Sequence, residues 1–325
     1  SDLMKVAGTS EFERPIVLLG EIGHGKTTLL RYIRQIEAKE QLKGYIQIEV
    51  DFLDRPDSEG DIPHYIYAEV EEQLREKYQI DIHEHAFVRG VLFSEIQRFK
   101  SSYRGQAHLS DEVRFREEEV KLIEGIIADK HKYLERVFAH LKKGRGKSLA
   151  IFFDNLDRRS DEIQEEAFLR ASATARDWQC LVFITLRPST YYRSVSEGVL
   201  DSLAPKIIAV SSPDPALMLK RRFVYAAQVA EGTASADIPF GREVSLGLPT
   251  AGSIFRSMEL SARKDRGVIP MLEAASNGNM RKLLDFTKQI LTSGHLDTKK
   301  IAARIKENDR YTMMSVSVQP RVLET

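Results

Sequence analysis

The sequence predicts an α/β chain: a three-layer α/β/α core with a five-stranded parallel sheet, a long helical insertion and a smaller C-terminal helical domain. Three observations predict it. Short apolar runs recur at Ile16–Leu19, Tyr45–Val50, Leu149–Phe153, Leu181–Thr185 and Lys206–Val210, separated by helix-patterned segments. Ile16–Leu19 is apolar on both faces, as a central parallel strand covered by helices should be. Beyond Ser211-Ser212-Pro213-Asp214-Pro215 the pattern turns wholly helical. The expected boundaries are a core over 1–212 carrying the insertion at 57–147, a helical domain over 213–310, and a tail or the start of a further domain over 311–325.

Taken in order, 1–14 is a polar approach segment and Ile16–Leu19 the first strand. The helix after it shows Leu29, Ile33 and Ile36 at helical spacing and stops near Lys43-Gly44, a basic last turn with a glycine cap. In the second strand Tyr45, Gln47 and Glu49 alternate against Ile46, Ile48 and Val50, and Asp51-Phe52-Leu53-Asp54 leaves it as a polar loop. Helices are expected over Ile62–Tyr78, Ala86–Phe99 and Glu112–Leu141, the last interrupted near Gly125, with a loop at Ser101–Ser110. A parallel crossover needs only a dozen or so residues, so this stretch is an insertion. Asp81-Ile82-His83-Glu84-His85 lacks a third ligand and does not match H-E-x-x-H, which leaves it a polar loop or helix start. Lys142, Lys143, Arg145 and Lys147 complement a helix C-terminus. A helix over Asp161–Ala175 follows the third strand, and Ala216–Val229, Ser253–Ala262 and a segment opened by Gly278-Asn279-Met280-Arg281 make up the second domain.

Two stretches carry chemistry. Gly20-Glu21-Ile22-Gly23-His24-Gly25-Lys26-Thr27-Thr28 joins a strand to a helix and matches G-x-x-x-x-G-K-[ST]. Glycines let successive backbone amides approach phosphate oxygens at a helix N-terminus. Lys26 would place a point charge against the β- and γ-phosphates, and the Thr27 hydroxyl would ligate Mg²⁺. These residue types predict a nucleoside triphosphate site. About 125 residues later, Leu149–Phe153 delivers Asp154-Asn155-Leu156-Asp157 to the carboxyl end of a strand, where ligands of open α/β sheets bind. Asp154 is the expected Mg²⁺-side acid, acting through water. Thr185 and Arg187 fall at the same sheet edge.

The order resembles an ATPase of the AAA+/STAND type, near its origin-recognition-like and KAP-like branches. The resemblance covers roughly 14–295 and rests on Gly20–Thr27, Asp154–Asp157, Thr185 with Arg187, and the Gly278–Arg281 helix start. It implies a P-loop NTPase core with a helical lid, ATP and Mg²⁺ as ligands, and Arg187 and Arg281 as sensors of the γ-phosphate. Such enzymes often carry glutamate directly after the strand-end acid; here Asn155 stands there and Asp157 takes the water-positioning role. An amide cannot accept a proton as a carboxylate can, so slow hydrolysis is expected. Arg158, Arg159, Arg176 and Arg193 are the candidates for an arginine finger acting in trans.

Composition narrows the alternatives. Hydrophobic residues at 42% and charged residues at 30% are ordinary for a globular chain. The formal net charge is zero, so no global basic field argues for nucleic acid. Yet residues 58–130 carry 16 acids against 10 bases, and 211–310 carry 16 bases against 11 acids, which suits a basic working face, subunit contacts or solvated helices. The single cysteine, Cys180, fits a reducing compartment and a buried strand edge. No run reaches the roughly 18 apolar residues needed to span a bilayer, and the expectation is a cytoplasmic protein without membrane contact. The leading function is an ATP-dependent switch or assembly ATPase, a homo-oligomer or effector partner, with a possible role in bacterial defence implied only by the resemblance. The alternatives are a DNA-associated ATPase of the initiator or clamp-loader kind and a nucleotide-binding scaffold with little hydrolysis. A GTPase lacks its Asn-Lys-x-Asp run, and a small-molecule kinase its compact lid with paired arginines.

Overall fold

The computed structural model describes residues 14–54, 61–107, 111–196, 205–234 and 268–292, together with 252, 254–256, 258 and 259. All of the expected approach segment over 1–14 except Arg14, parts of the helix expected over Ser253–Ala262 and the expected tail at 311–325 lie outside them. Five strands form the sheet: β1 (Ile16–Leu19), β2 (Tyr45–Asp51), β3 (Ser148–Asp154), β4 (Leu181–Leu186) and β5 (Lys206–Ala209). Their order is β2-β3-β4-β1-β5 and every neighbouring pair is parallel. The three inner strands are buried almost throughout, whereas β2 alternates and β5 alternates more openly. Continuous apolar runs therefore mark the inner strands and alternation marks the edges.

The order also fixes where the helices go. From β1 to β2 the chain moves three places one way; every later step runs the other way. Right-handed crossovers then put the first connection on one face and the later ones on the opposite face. The contacts agree. Helices α3 (Ile62–Tyr78), α8 (Lys130–Arg145) and α9 (Asp161–Asp177) share one buried cluster with Val17, Ile48, Ile151, Phe153 and Ile184. On the other face Arg34, from the first connection, bonds Gln47 and Glu49 and lies 4.6 Å from the centre of the Phe152 ring. The arrangement is compatible with a three-layer α/β/α core.

Several elements depart from the sequence expectation. The helix after β1 is not continuous: α1 (Lys26–Tyr32) passes into a π-turn at Ile33–Glu37, then into α2 (Lys39–Leu42). The Ala38 amide bonds the Ile33 carbonyl, an i→i+5 closure that advances the buried face by one residue. Leu30, Ile33, Ala38 and Leu42 are buried, and Ile36, expected inside, is 66% exposed. In the insertion, Ala86–Phe99 is two helices, α4 (His85–Val91) and α5 (Phe93–Ser101), divided at buried Leu92. Gly90 sits where a Cβ would meet the His140 ring at 3.3 Å, so α4 approaches α8 closely. The expected loop after it contains α6 (Tyr103–Ala107), started by the Ser102 hydroxyl, which accepts the Gly105 amide. The break between α7 (Glu112–Ala128) and α8 falls at Asp129, not at Gly125, because Asp129 caps α8 by accepting the Lys132 amide at 3.2 Å. Gly146, at φ 60°, ends α8.

The free edge of β2 is closed by side chains of α3. Gln73 accepts the Glu49 amide at 3.1 Å and donates to the Glu49 carbonyl at 2.6 Å. The Tyr78 hydroxyl accepts the Gln47 amide and donates to its carbonyl, and Tyr65 donates to the Asp51 carbonyl. A row of side chains thus stands where a further strand would bond.

Cα packing separates two compact units: 1–20 with 26–209, whose last described helix is α10 (Pro188–Ser196), and 21–25 with 210–325. The second contains α11 (Pro215–Ala230), capped by Asp214, α12 (Val268–Ser276), not anticipated from the sequence, and α13 (Met280–Thr292). Leu219, Phe223, Ile254, Met258, Ile269, Leu272, Leu283 and Ile290 form its core. Among the described residues no helix is long and apolar enough to cross a membrane.

Candidate functional site

The sheet delivers two chemistries to its carboxyl edge. β1 runs into the glycine loop, and β3 ends at Asp154, with β4 between them. Strands lie about 4.8 Å apart, so β1 and β3 are separated by roughly 10 Å, a gap that side chains can bridge. Gly20 stays in the ladder, its amide on the Leu186 carbonyl at 3.3 Å. Gly23 and Gly25 then take φ of 85° and 87°, where a side chain is strained. The chain enters α1 at Lys26, whose ammonium donates to the Gly20 carbonyl at 2.6 Å and to Asp157 Oδ2 at 3.0 Å. Both partners are buried. Beside it Thr27 Oγ1 donates to Asp154 Oδ1 at 3.0 Å. Glu21 and Thr28 are exposed, and the half-buried His24 ring lies 3.3 Å from the Val210 carbonyl.

On the acid side, burial pushes the Asp154 carboxyl above its usual range, and the charges of Asp51 and Glu49 push the same way. Asn155 turns the chain in the left-handed region at φ 56°, a conformation that Asn tolerates better than most residues. Its amide N–H bonds Asp154 Oδ1 at 2.8 Å, and its Nδ2 donates to Asp51 Oδ1 at 2.8 Å. Asp157 follows in a 3₁₀ turn, Leu156–Arg158. Asp51 is the acid that sequence reasoning missed. It ends an alternating strand as Asp154 ends an apolar one, and its register partner is Asp154. An acid closing each of two strands was the available signal.

The remaining predicted residues separate. Thr185 is fully buried, its hydroxyl directed to the Phe153 carbonyl at 3.5 Å. Arg187 keeps a buried Nε that has no acceptor among the described residues. In the second unit, Asn279 caps α13 by accepting the Arg281 and Lys282 amides at 3.0 and 3.1 Å. The Met280 amide donates to the Gly23 carbonyl at 3.2 Å. A Cβ on Gly23 would lie 2.1 Å from Asn279 Oδ1, so the loop tip and this helix start are in close contact. Arg281 itself is exposed. Of the finger candidates, Arg159 bonds the Phe52 carbonyl, Arg176 pairs with Asp177 and Arg193 with Asp161, while Arg158 is exposed. His83 pairs with Glu71 at 3.5 Å. Among the described residues no group of three His, Cys, Asp or Glu side chains is placed to hold a metal.

Comparison with protein-family profiles, curated proteins and solved structures finds no match.

Proposed function

We propose that the chain binds ATP with Mg²⁺ at the carboxyl edge of its sheet and hydrolyses it slowly, as a nucleotide-dependent switch or assembly ATPase similar to the AAA+/STAND type. One observation carries the reading. Two adjacent residues of the glycine loop and its helix, Lys26 and Thr27, meet two acids 131 and 127 residues away in the chain, each at 3.0 Å. A glycine turn that merely capped a helix would need neither acid.

Each group has a task. Loop amides and the α1 N-terminus attract phosphate oxygens. Lys26 faces Asp157 at 3.0 Å and is the cation that an incoming phosphate would share. Thr27 Oγ1 and Asp154 Oδ1, 3.0 Å apart, are the oxygens that would hold Mg²⁺, Thr27 directly and Asp154 through water. Two hard oxygens with open positions suit an ion that keeps water and phosphate ligands. When bound, Mg²⁺ neutralises charge developing on the β- and γ-oxygens. The Arg187 Nε, buried without an acceptor among the described residues, is a donor that an anion could use. The contact of Gly23 with Asn279 and Met280 supports coupling of loop shape to the helical unit, the switch part of the proposal.

The test is ATP turnover, with binding of a fluorescent ATP analogue, for wild type and Lys26→Ala. Slow Mg²⁺-dependent turnover is expected, abolished in Lys26→Ala, with mass photometry showing an assembly change on adding Mg²⁺-ATP. Binding without turnover or assembly change would favour a scaffold. Absence of binding to the wild type overturns the proposal.

A further inference from the structure

Asn155 stands where a carboxylate is expected, and the structure gives Asp157, the replacement suggested by sequence, to Lys26 at 3.0 Å. The geometry points to a different solution, resting on the ATP reading above: Asp51 and Asn155 form a positioning pair that presents the Asn155 carbonyl oxygen to the attacking water.

An amide side chain can turn either its donor or its acceptor toward a ligand, and water about to attack phosphorus needs an acceptor. Asp51 removes the ambiguity. An ionised carboxylate only accepts, so the group 2.8 Å from Asp51 Oδ1 must be Nδ2 of Asn155. Oδ1 of Asn155 is thereby turned away from Asp51, and it accepts no hydrogen bond among the described residues. The pair is fixed at both ends. Asp51 Oδ1 also takes the Leu53 amide at 2.9 Å, and Tyr65 donates to the Asp51 carbonyl. Asn155 is held through its own N–H on Asp154 Oδ1, the same oxygen that Thr27 bonds at 3.0 Å. Its acceptor is therefore tied to the Mg²⁺ side of the site by one shared atom.

An amide suffices for this task. Phosphoryl transfer runs through a loose transition state in which the protein mostly positions groups, and in GTP-hydrolysing switches a side-chain amide orients the water. The water oxygen bonds phosphorus as the β–γ bridging bond breaks, and the water proton leaves with the phosphate. No protein base is consumed. Asp51 acts through Asn155 and is a positioning residue; Asn155 touches the water.

The experiment measures turnover, KM, fluorescent-analogue affinity and urea midpoints for Asp51→Asn, Asn155→Asp and the exchange Asp51→Asn/Asn155→Asp. Asp51→Asn frees the amide to flip, and kcat is expected to fall about 10²-fold, the cost of a misplaced reacting group, with KM and affinity kept. Asn155→Asp sets two carboxylates side by side and is also expected to lose kcat. The exchange restores one acceptor at 155 held by one amide at 51, and kcat should return to within about tenfold of wild type. Asn155→Ala, which cannot present an acceptor, serves if Asp51→Asn unfolds. Full turnover in Asp51→Asn or Asn155→Ala, or an exchange no better than the singles at equal affinity, overturns the pair. Loss of analogue binding by wild type overturns the ATP reading instead.

Discussion

At the residue scale the Lys26–Asp157 pair does two jobs. It gives a buried ammonium a carboxylate partner, and it joins the glycine loop's helix to the turn after β3. Removing one partner of a buried pair leaves the other uncompensated, which costs more than the intact pair contributes. Asp157→Ala should therefore lower stability by about 3 kcal/mol, read from urea unfolding. Lys26→Met combined with Asp157→Leu should recover most of that loss, because no charge is then stranded. Equal stability of Asp157→Ala and wild type would show that the pair contributes nothing to the fold. The motif that places Lys26 and Thr27 was legible because its chemistry is local in sequence. Asp51 was not. Its importance comes from a register partner 103 residues later and from Asn155 crossing to it, and neither appears in any local pattern. Arg187 was legible only as a position, since its unmatched Nε is a property of surroundings.

At the element scale the strands and α3 were read well. Inner strands carry continuous apolar runs, β2 alternates, and α3 opens with Asp61-Ile62-Pro63, where Asp61 accepts the His64 amide at 3.0 Å and proline takes the first turn. What failed was the phase of the first helix and the breaks in the insertion. A π-turn shifts the buried face without changing composition, and the Asp129 cap outweighs the flexibility of Gly125 as a place to divide two helices. The closure of β2 by Gln73, Tyr78 and Tyr65 was invisible as well, since Gln73 reads as one more polar residue on an amphipathic helix. That closure is testable. Gln73→Ala removes two hydrogen bonds to the strand backbone and should cost about 2 kcal/mol. It also bares an edge open to pairing, so light scattering on warming should rise. Unchanged scattering alongside the stability loss would show that the remaining side chains suffice to guard the edge.

On the scale of the whole molecule, an acidic stretch over 58–130 and a basic one over 211–310 largely offset each other within a chain of zero formal net charge. Among the described residues the exposed bases of 211–310 are Arg221, Arg222, Arg256 (paired with Glu231), Arg281, Lys282 and Lys288, and at zero net charge no global basic field adds to them. Duplex DNA binding should therefore be weak, with a shallow salt dependence corresponding to two or three released counterions at most, about −2 to −3 in log–log slope. A slope near −6 or steeper in anisotropy titrations would move the DNA-associated reading ahead of the switch.

The strand order has a consequence in time. β1 is made first, yet its neighbours β4 and β5 begin about 160 and 190 residues after it ends. At 5–20 residues per second the ribosome takes roughly 10–30 s to supply β4, and until then the glycine loop has no ladder to hold it. β2 and β3, with the insertion between them, can pair earlier. A nascent chain therefore assembles its sheet from the flank inward, and the glycine turn, made before the other four strands, is among the last parts to take shape.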